Sequence, residues 1–595
     1  RNCAEDEAAR KLLHGMDVIP ELLRLLDSNS EIVLGRAAGA LYNQSFYEES
    51  QPVIRLRRGL PALIKLFAAG SGTPRPYAIQ ADAAGVLMNM CRSDVPSRAS
   101  MRSLDAIYPL TFLLSAPHEE SSRRACWTLA FASMDEETAC VIRREGAIKS
   151  LVGLLSAHTP VNVRRAATGC IYHLVAVDHE SRLECLRHET VRAMLLMLST
   201  PEADIQADSL GVIFNLSFVE SGSVAIRAGD ALPAILALLS SSKHTEVIAN
   251  ALGVLCNVLA NDSASRAIVN SLGGIKSIVR HLASMSTACQ SRACAALANA
   301  AYDPNCKAAL VDAGGLRRLV MLLGSNDSWT VAHAATSLMN LAADDEGIRQ
   351  AVLALDMLPA ALKKLPASLP TIQSSGGDTA MEFAVARAIA GCMLNVFTSV
   401  EVVGQALASA GDLTRTILQT TSAHLEDAGD DVVLANLVGL IGNMAVIPAG
   451  GNALRSNGAI PRLLSICHNA ASFGYSVAGS ERNRKSKLNL NEDAVVNACV
   501  AIANMCLLHE NQREVREQDG LPSLVSLCAG QATARVAAAA SQALAALADK
   551  MENGSIWDVN GNEQMSSLLD QPVELRQWSE NVMESILLCG RLHHD

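Results

Sequence analysis

The chain has 595 residues, of which 50% are hydrophobic and only 3% aromatic, and its 60 acidic and 49 basic side chains give a formal charge of −11. That acidic balance excludes general nucleic-acid binding, whose affinity rests on neutralising phosphates. The scarcity of aromatics beside abundant Ala and Leu excludes an all-β fold and suits helices packed through small residues.

In chain order, one column organises the sequence. It holds Asn43, Asn89, Phe131, His173, Asn215, Asn257, Asn299, Asn340, Asn395, Asn443, Asn504 and Ala546. Successive steps are 46, 42, 42, 42, 42, 42, 41, 55, 48, 61 and 42 residues. A period of this size marks stacked supersecondary units, here twelve. A single hydrophobic core stops growing near ~250–300 residues. A stack escapes that limit because each unit touches only its neighbours.

Each unit reads as three helices. In unit 6, Ser223 to Ala228 forms a short helix ended by Gly229, 232–239 forms a second, and 246–259 forms a third. Pro233 opens the second helix in its first turn. The third places Ala251, Leu255 and Val258 on one face. A glycine recurs after the short first helix as Gly59, Gly146, Gly273, Gly314, Gly411, Gly458 and Gly520, where a positive φ is expected. Ser28 to Glu31 reads as a capping box opening the third helix of unit 1.

Two steps are long, which predicts loops at about 365–379, with Gly376 and Gly377, and at about 469–492. The second insert carries Arg482, Arg484, Lys485 and Lys487, read as a solvated basic loop. The period stops after about residue 550, so a solenoid over 1–550 is followed by a segment 551–595. There Leu575, Trp578, Val582, Ile586 and Leu587 would form one side of a capping or docking helix. The sequence opens on Arg, which reads as a fragment or a trimmed product.

By this point the units resemble armadillo repeats. Gly458-Ala459-Ile460-Pro461-Arg462-Leu463-Leu464 followed by Ala501-Ile502-Ala503-Asn504-Met505 carries the likeness, and it extends over residues 4–550. The resemblance implies an all-α, right-handed superhelical solenoid of about twelve three-helix repeats. It also implies that the third helices line a concave groove in which the column asparagines bond the main chain of an extended partner segment. The candidate groove residues are Asn43, Asn89, Trp127, His173, Asn215, Asn257, Asn299, Asn340, Asn395, Asn443 and Asn504. An Asn amide offers donors and an acceptor together, as an extended backbone requires. The plainer alternative is that each Asn bonds backbone within its own repeat.

Four residues before the column the chain reads Gly39, Gly85, Trp127, Gly169, Gly211, Gly253, Ala295, Thr336, Gly391, Gly439, Val500 and Gln542. Importin-α-like receptors carry a Trp ladder there, and only Trp127 fits. Glycine within a helix costs about 0.5–1 kcal/mol against Ala, so seven of them imply close approach by a neighbouring helix or a ligand. Seven residues before the column, Arg36, Asp82, Arg124, Ala166, Asp208, Asn250, Arg292 and His333 mix signs. A β-catenin-like basic track for long acidic ligands is therefore not expected.

Sixteen scattered cysteines without Cys-x-x-Cys read as buried, reduced residues, which favours a cytoplasmic setting and leaves the nucleus open. The sequons at Asn43 and Asn215 fall within the third-helix column, where a glycan would block stacking. There is no Gly-x-Ser-x-Gly, phosphate-loop Lys or His-Glu-x-x-His, and the histidines form no ligand pair. No enzyme activity, cofactor or metal is expected. With no apolar run of about 18 residues, neither is a transmembrane segment. The expected function is a protein–protein scaffold holding an extended segment across units five to eight. The alternatives are a structural part of a cytoskeletal assembly such as a ciliary axoneme, and a regulator of small GTPases.

Overall fold

The computed structural model describes residues 6–67, 75–365, 376–409, 412–426, 430–474, 490–529 and 532–548. The basic insert and the segment after 550 lie outside them. Among the described residues there are thirty-six α-helices and no strands, three helices to each of twelve repeats. No single described helix is long and apolar enough to cross a membrane. The chain divides into two compact units, residues 1–278 and 279–595.

In both units the third helices carry the core. Their sequences are apolar on nearly all sides, because within each unit they pack against their own repeat and the third helix of the next. The third helix of repeat 2, Tyr77–Ser93, buries Ala83, Ala84, Val86, Leu87 and Met90 completely. That of repeat 10, Asp431–Ala445, buries Leu437, Val438, Leu440 and Ile441. The fourteen described cysteines are reduced and most are buried, where loss of hydration pushes Cys91 and Cys392 up to about 12.

The bend between first and second helices departs from the glycine expectation. The left-handed residue is Gly at 146, 273, 314 and 458, but elsewhere it is Asp17, Arg58, Asp105, Glu189, Asp230, Asp356 or Asp519. Aspartate tolerates this conformation through its short polar side chain. Gly229, Gly59 and Gly520 are therefore not the left-handed residues, and Gly411 lies outside the described residues. Gly59 is needed for space: a methyl there would lie 2.6 Å from the Ile54 carbonyl oxygen.

Three boundaries also move. The third helix of repeat 9, Gly376–Val396, begins inside the expected loop. The second helix of repeat 11, Ala459–Phe473, runs into the other. The third helix of repeat 1 has Ser30 as its N-cap, while Ser28 Oγ accepts from Ser30 N at 3.2 Å, so no capping box spans Ser28 to Glu31.

A candidate partner groove built on two rows of amides

The column residues sit in the last turn of each third helix. The last four carbonyls of a helix have no partner within it. In repeats 8 to 11 the column amide supplies one. Asn340 Nδ2 donates to Ala298 O at 3.0 Å, Asn395 Nδ2 to Met339 O at 3.1 Å, Asn443 Nδ2 to Leu394 O at 3.5 Å and Asn504 Nδ2 to Gly442 O at 3.0 Å. Each acceptor is the residue just before the column position of the preceding repeat. The bonds therefore join repeats, and the reading of a bond within one repeat holds at Asn215, whose Nδ2 donates to Gly211 O at 2.9 Å.

Two column amides reach the capping serine of the preceding third helix. Asn89 Nδ2 donates to Ser45 Oγ at 2.8 Å and Asn257 Nδ2 to Ser217 Oγ at 2.9 Å. These serines belong to the two sequons; their hydroxyls donate to Tyr42 O and Phe214 O. Asn89 is fully buried and its Oδ1 has no partner. The other column asparagines are half-buried, including Asn43 and Asn299. For Asn340, Asn395, Asn443 and Asn504 the committed Nδ2 leaves Oδ1 as the acceptor of the amide.

A second amide row, which the sequence reading missed, lies seven residues before the column. Asn250 Nδ2 donates to Ala207 O at 3.0 Å and Asn497 Nδ2 to Ala435 O at 2.9 Å. Arg124 takes the same place in repeat 3, donating to Ala81 O at 3.1 Å and pairing with Asp82 at 2.9 Å.

The glycines between the two rows form a bed over which neighbouring repeats meet. A methyl on Gly85 would lie 2.5 Å from the Tyr42 ring of repeat 1 and 2.9 Å from Arg124 Nη1 of repeat 3. Arg124 in turn stacks on Tyr42, 3.9 Å from the ring centroid. The pattern recurs with Trp127 and Asp208 over Gly169, Tyr172 and Asn250 over Gly211, Met339 and Asn436 over Gly391, and Leu394 and Asn497 over Gly439. The close approach is thus by side chains of the flanking repeats.

At two column positions that lack Asn, rings replace amides. Trp127 stacks on Phe131 with centroids 5.8 Å apart, and His173 lies 5.5 Å from Tyr172. Burial, with Arg98 nearby, holds the His173 pKa below its usual value. Asp208 is pushed up to about 6 by burial and by Glu246 and Asp204, against the pull of Arg165. No group of three or more described His, Cys, Asp or Glu could hold a metal ion.

Comparison with known proteins places this architecture. The ARM repeat region of plant U-box proteins matches residues 75–357. The matched repeats are armadillo repeats. The chain is 32% identical over 123 residues to the human splicing regulator ARVCF, covering 19% of the chain and 13% of that protein. It is 24% identical over 281 residues to the rat adenomatous polyposis coli protein, covering 44% of the chain and 10% of that protein. It therefore spans only a small part of either relative. Two solved structures share the fold. An engineered protein has a TM-score of 0.63 at 22% identity, over 71% of this chain and 98% of its own. A structure from a study of the cadherin–β-catenin interaction has a TM-score of 0.63 at 16% identity, over 89% of this chain and 99% of its own.

Proposed function

We propose that the chain is a non-enzymatic protein–protein interaction scaffold that holds an extended partner segment along the third-helix groove. The observation that carries this reading is the amide row of repeats 8 to 11. Each Nδ2 is fixed on the preceding helix, so each Oδ1 is held in place to accept from a partner backbone N–H. Pre-fixed acceptors lose little side-chain entropy on binding. The fold shared with the solved structure from a study of the cadherin–β-catenin interaction is in keeping with the same kind of use.

Quantitative affinity purification with the full chain tests it, comparing wild type with Asn340→Ala/Asn395→Ala/Asn443→Ala at matched helicity and melting. The expected result is loss of at least one specific partner. Retention of every partner contradicts the reading.

A further inference from the structure

The same structural bed differs in charge along the chain. In unit 1, Arg124 with Asp82, and Asp208 near Glu246 and Asp204, put ionisable groups beside the glycines. Over the glycines of repeats 9 and 10 the equivalent places hold none. Met339 and Leu394 cover Gly391 and Gly439 from one side, and Asn436 and Asn497 from the other. At the head of this stretch, His333 Nδ1 lies 2.9 Å from Ser291 Oγ, and burial holds the ring's pKa below its usual value, so it is neutral at pH 7. Two ion pairs join these third helices: Arg387 pairs with Asp430, and Arg535 with Asp493 at 2.9 Å.

Exposed apolar side chains stand at the ends of these third helices, beside the exposed Asp344 and Asp345. Trp329 is 55% exposed at the start of one third helix, and Val446 and Leu507 are 43% and 67% exposed just past the ends of two others. A partner's charged side chain facing this bed would shed water and meet no opposite charge. An uncharged one would lose little and gain apolar contact.

Building on the scaffold reading, we propose that the groove of repeats 8 to 11 selects an extended segment whose bed-facing side chains are uncharged. Charge complementarity carries it: amide acceptors for the partner's backbone, and an apolar, neutral bed for its side chains. An extended chain rises ~3.3 Å per residue and neighbouring helices pack ~8–10 Å apart, so about twelve residues span four repeats.

A displayed library of random 12-residue peptides, selected on the immobilised full chain, tests the proposal. Each enriched sequence is then measured against wild type and against Asn395→Ala/Asn443→Ala, after circular dichroism has shown that the variant is folded. Peptides that lose at least tenfold in affinity on the double variant report on this groove. The expected result is that these peptides lack Asp, Glu, Lys and Arg at alternate positions, and that placing one there costs a further tenfold or more. If the groove-dependent peptides carry like charges at those positions, the neutral-bed inference is overturned and the groove reading stands. If no enriched peptide depends on the two asparagines, or none is enriched, the groove reading fails and this inference with it.

Discussion

The groove stretch around Gly85 and Gly169 and the stretch around Gly391 and Gly439 are built on one plan and finished differently. In both, a large side chain from the preceding repeat and a polar one from the following repeat meet over a glycine. In unit 1 the pairs are Tyr42 with Arg124 and Trp127 with Asp208; in unit 2 they are Met339 with Asn436 and Leu394 with Asn497. The column follows the same division. Phe131 and His173 interrupt it in unit 1, whereas repeats 8 to 11 keep four asparagines in succession. The backbone plan sets where side chains converge, and the residue choice at two positions per repeat sets whether the surface is ionic and aromatic or neutral and amide-lined.

This contrast can be broken most strongly at Arg124. The side chains of Arg124 and Asp82 are 9% and 10% exposed, so Arg124→Ala leaves a buried carboxylate without its partner. A loss of about 3–5 kcal/mol in urea unfolding is expected. Next is Gly85→Ala, whose methyl must displace the Tyr42 ring and the Arg124 guanidinium; about 1–3 kcal/mol should be lost. Gly439→Ala meets only Asn497 Nδ2 at 3.0 Å and Leu394 Cδ1 at 3.2 Å. There the gain in helix propensity of about 0.5–1 kcal/mol offsets the crowding, and near-neutrality is expected.

Asp208 sharpens the comparison through pH. Its folded pKa of about 6 lies above the usual carboxylate value, so the folded state holds the proton more tightly. That contribution is complete at pH below the unfolded value near 3.9 and is lost as pH rises through about 6. Asp208→Asn should therefore stabilise the protein at pH 8 by about 1–2 kcal/mol after allowing for solvent screening, with the advantage shrinking toward pH 4. Unfolding free energies at the two pH values read this directly. A modest effect belongs to Asn497→Ala, which removes one neutral hydrogen bond and should cost about 1 kcal/mol.

Much of this was legible in the sequence. The 42-residue period and the column residues indicate the repeats, because each repeat must bury the same face against its neighbour. The αL positions were half-legible. Glycine marks four of them, but Asp17, Asp105, Asp230, Asp356 and Asp519 fill the same place, and a search for glycine alone passes over them. The bed was not legible as side-chain packing, since its parts come from three repeats and the insertions disguise their register. The available signal was the large residue before the column: Tyr42, Tyr172, Phe214, Met339 and Leu394. The second amide row at Asn250, Asn436 and Asn497 was visible only as mixed charge, because earlier repeats fill it with Arg124 and Asp208.

The most direct test of the account is to put a charge into the neutral bed. Met339→Glu is nearly isosteric and places a carboxylate over Gly391, while leaving the residue 339 carbonyl free to accept from Asn395. Peptides selected on wild type through the repeat 8 to 11 groove are titrated against the variant, each beside a partner peptide with one bed-facing residue changed to Lys. The account predicts that the variant weakens the neutral peptides and reverses the preference by tenfold or more in favour of Lys. Equal preference in wild type and variant would contradict it.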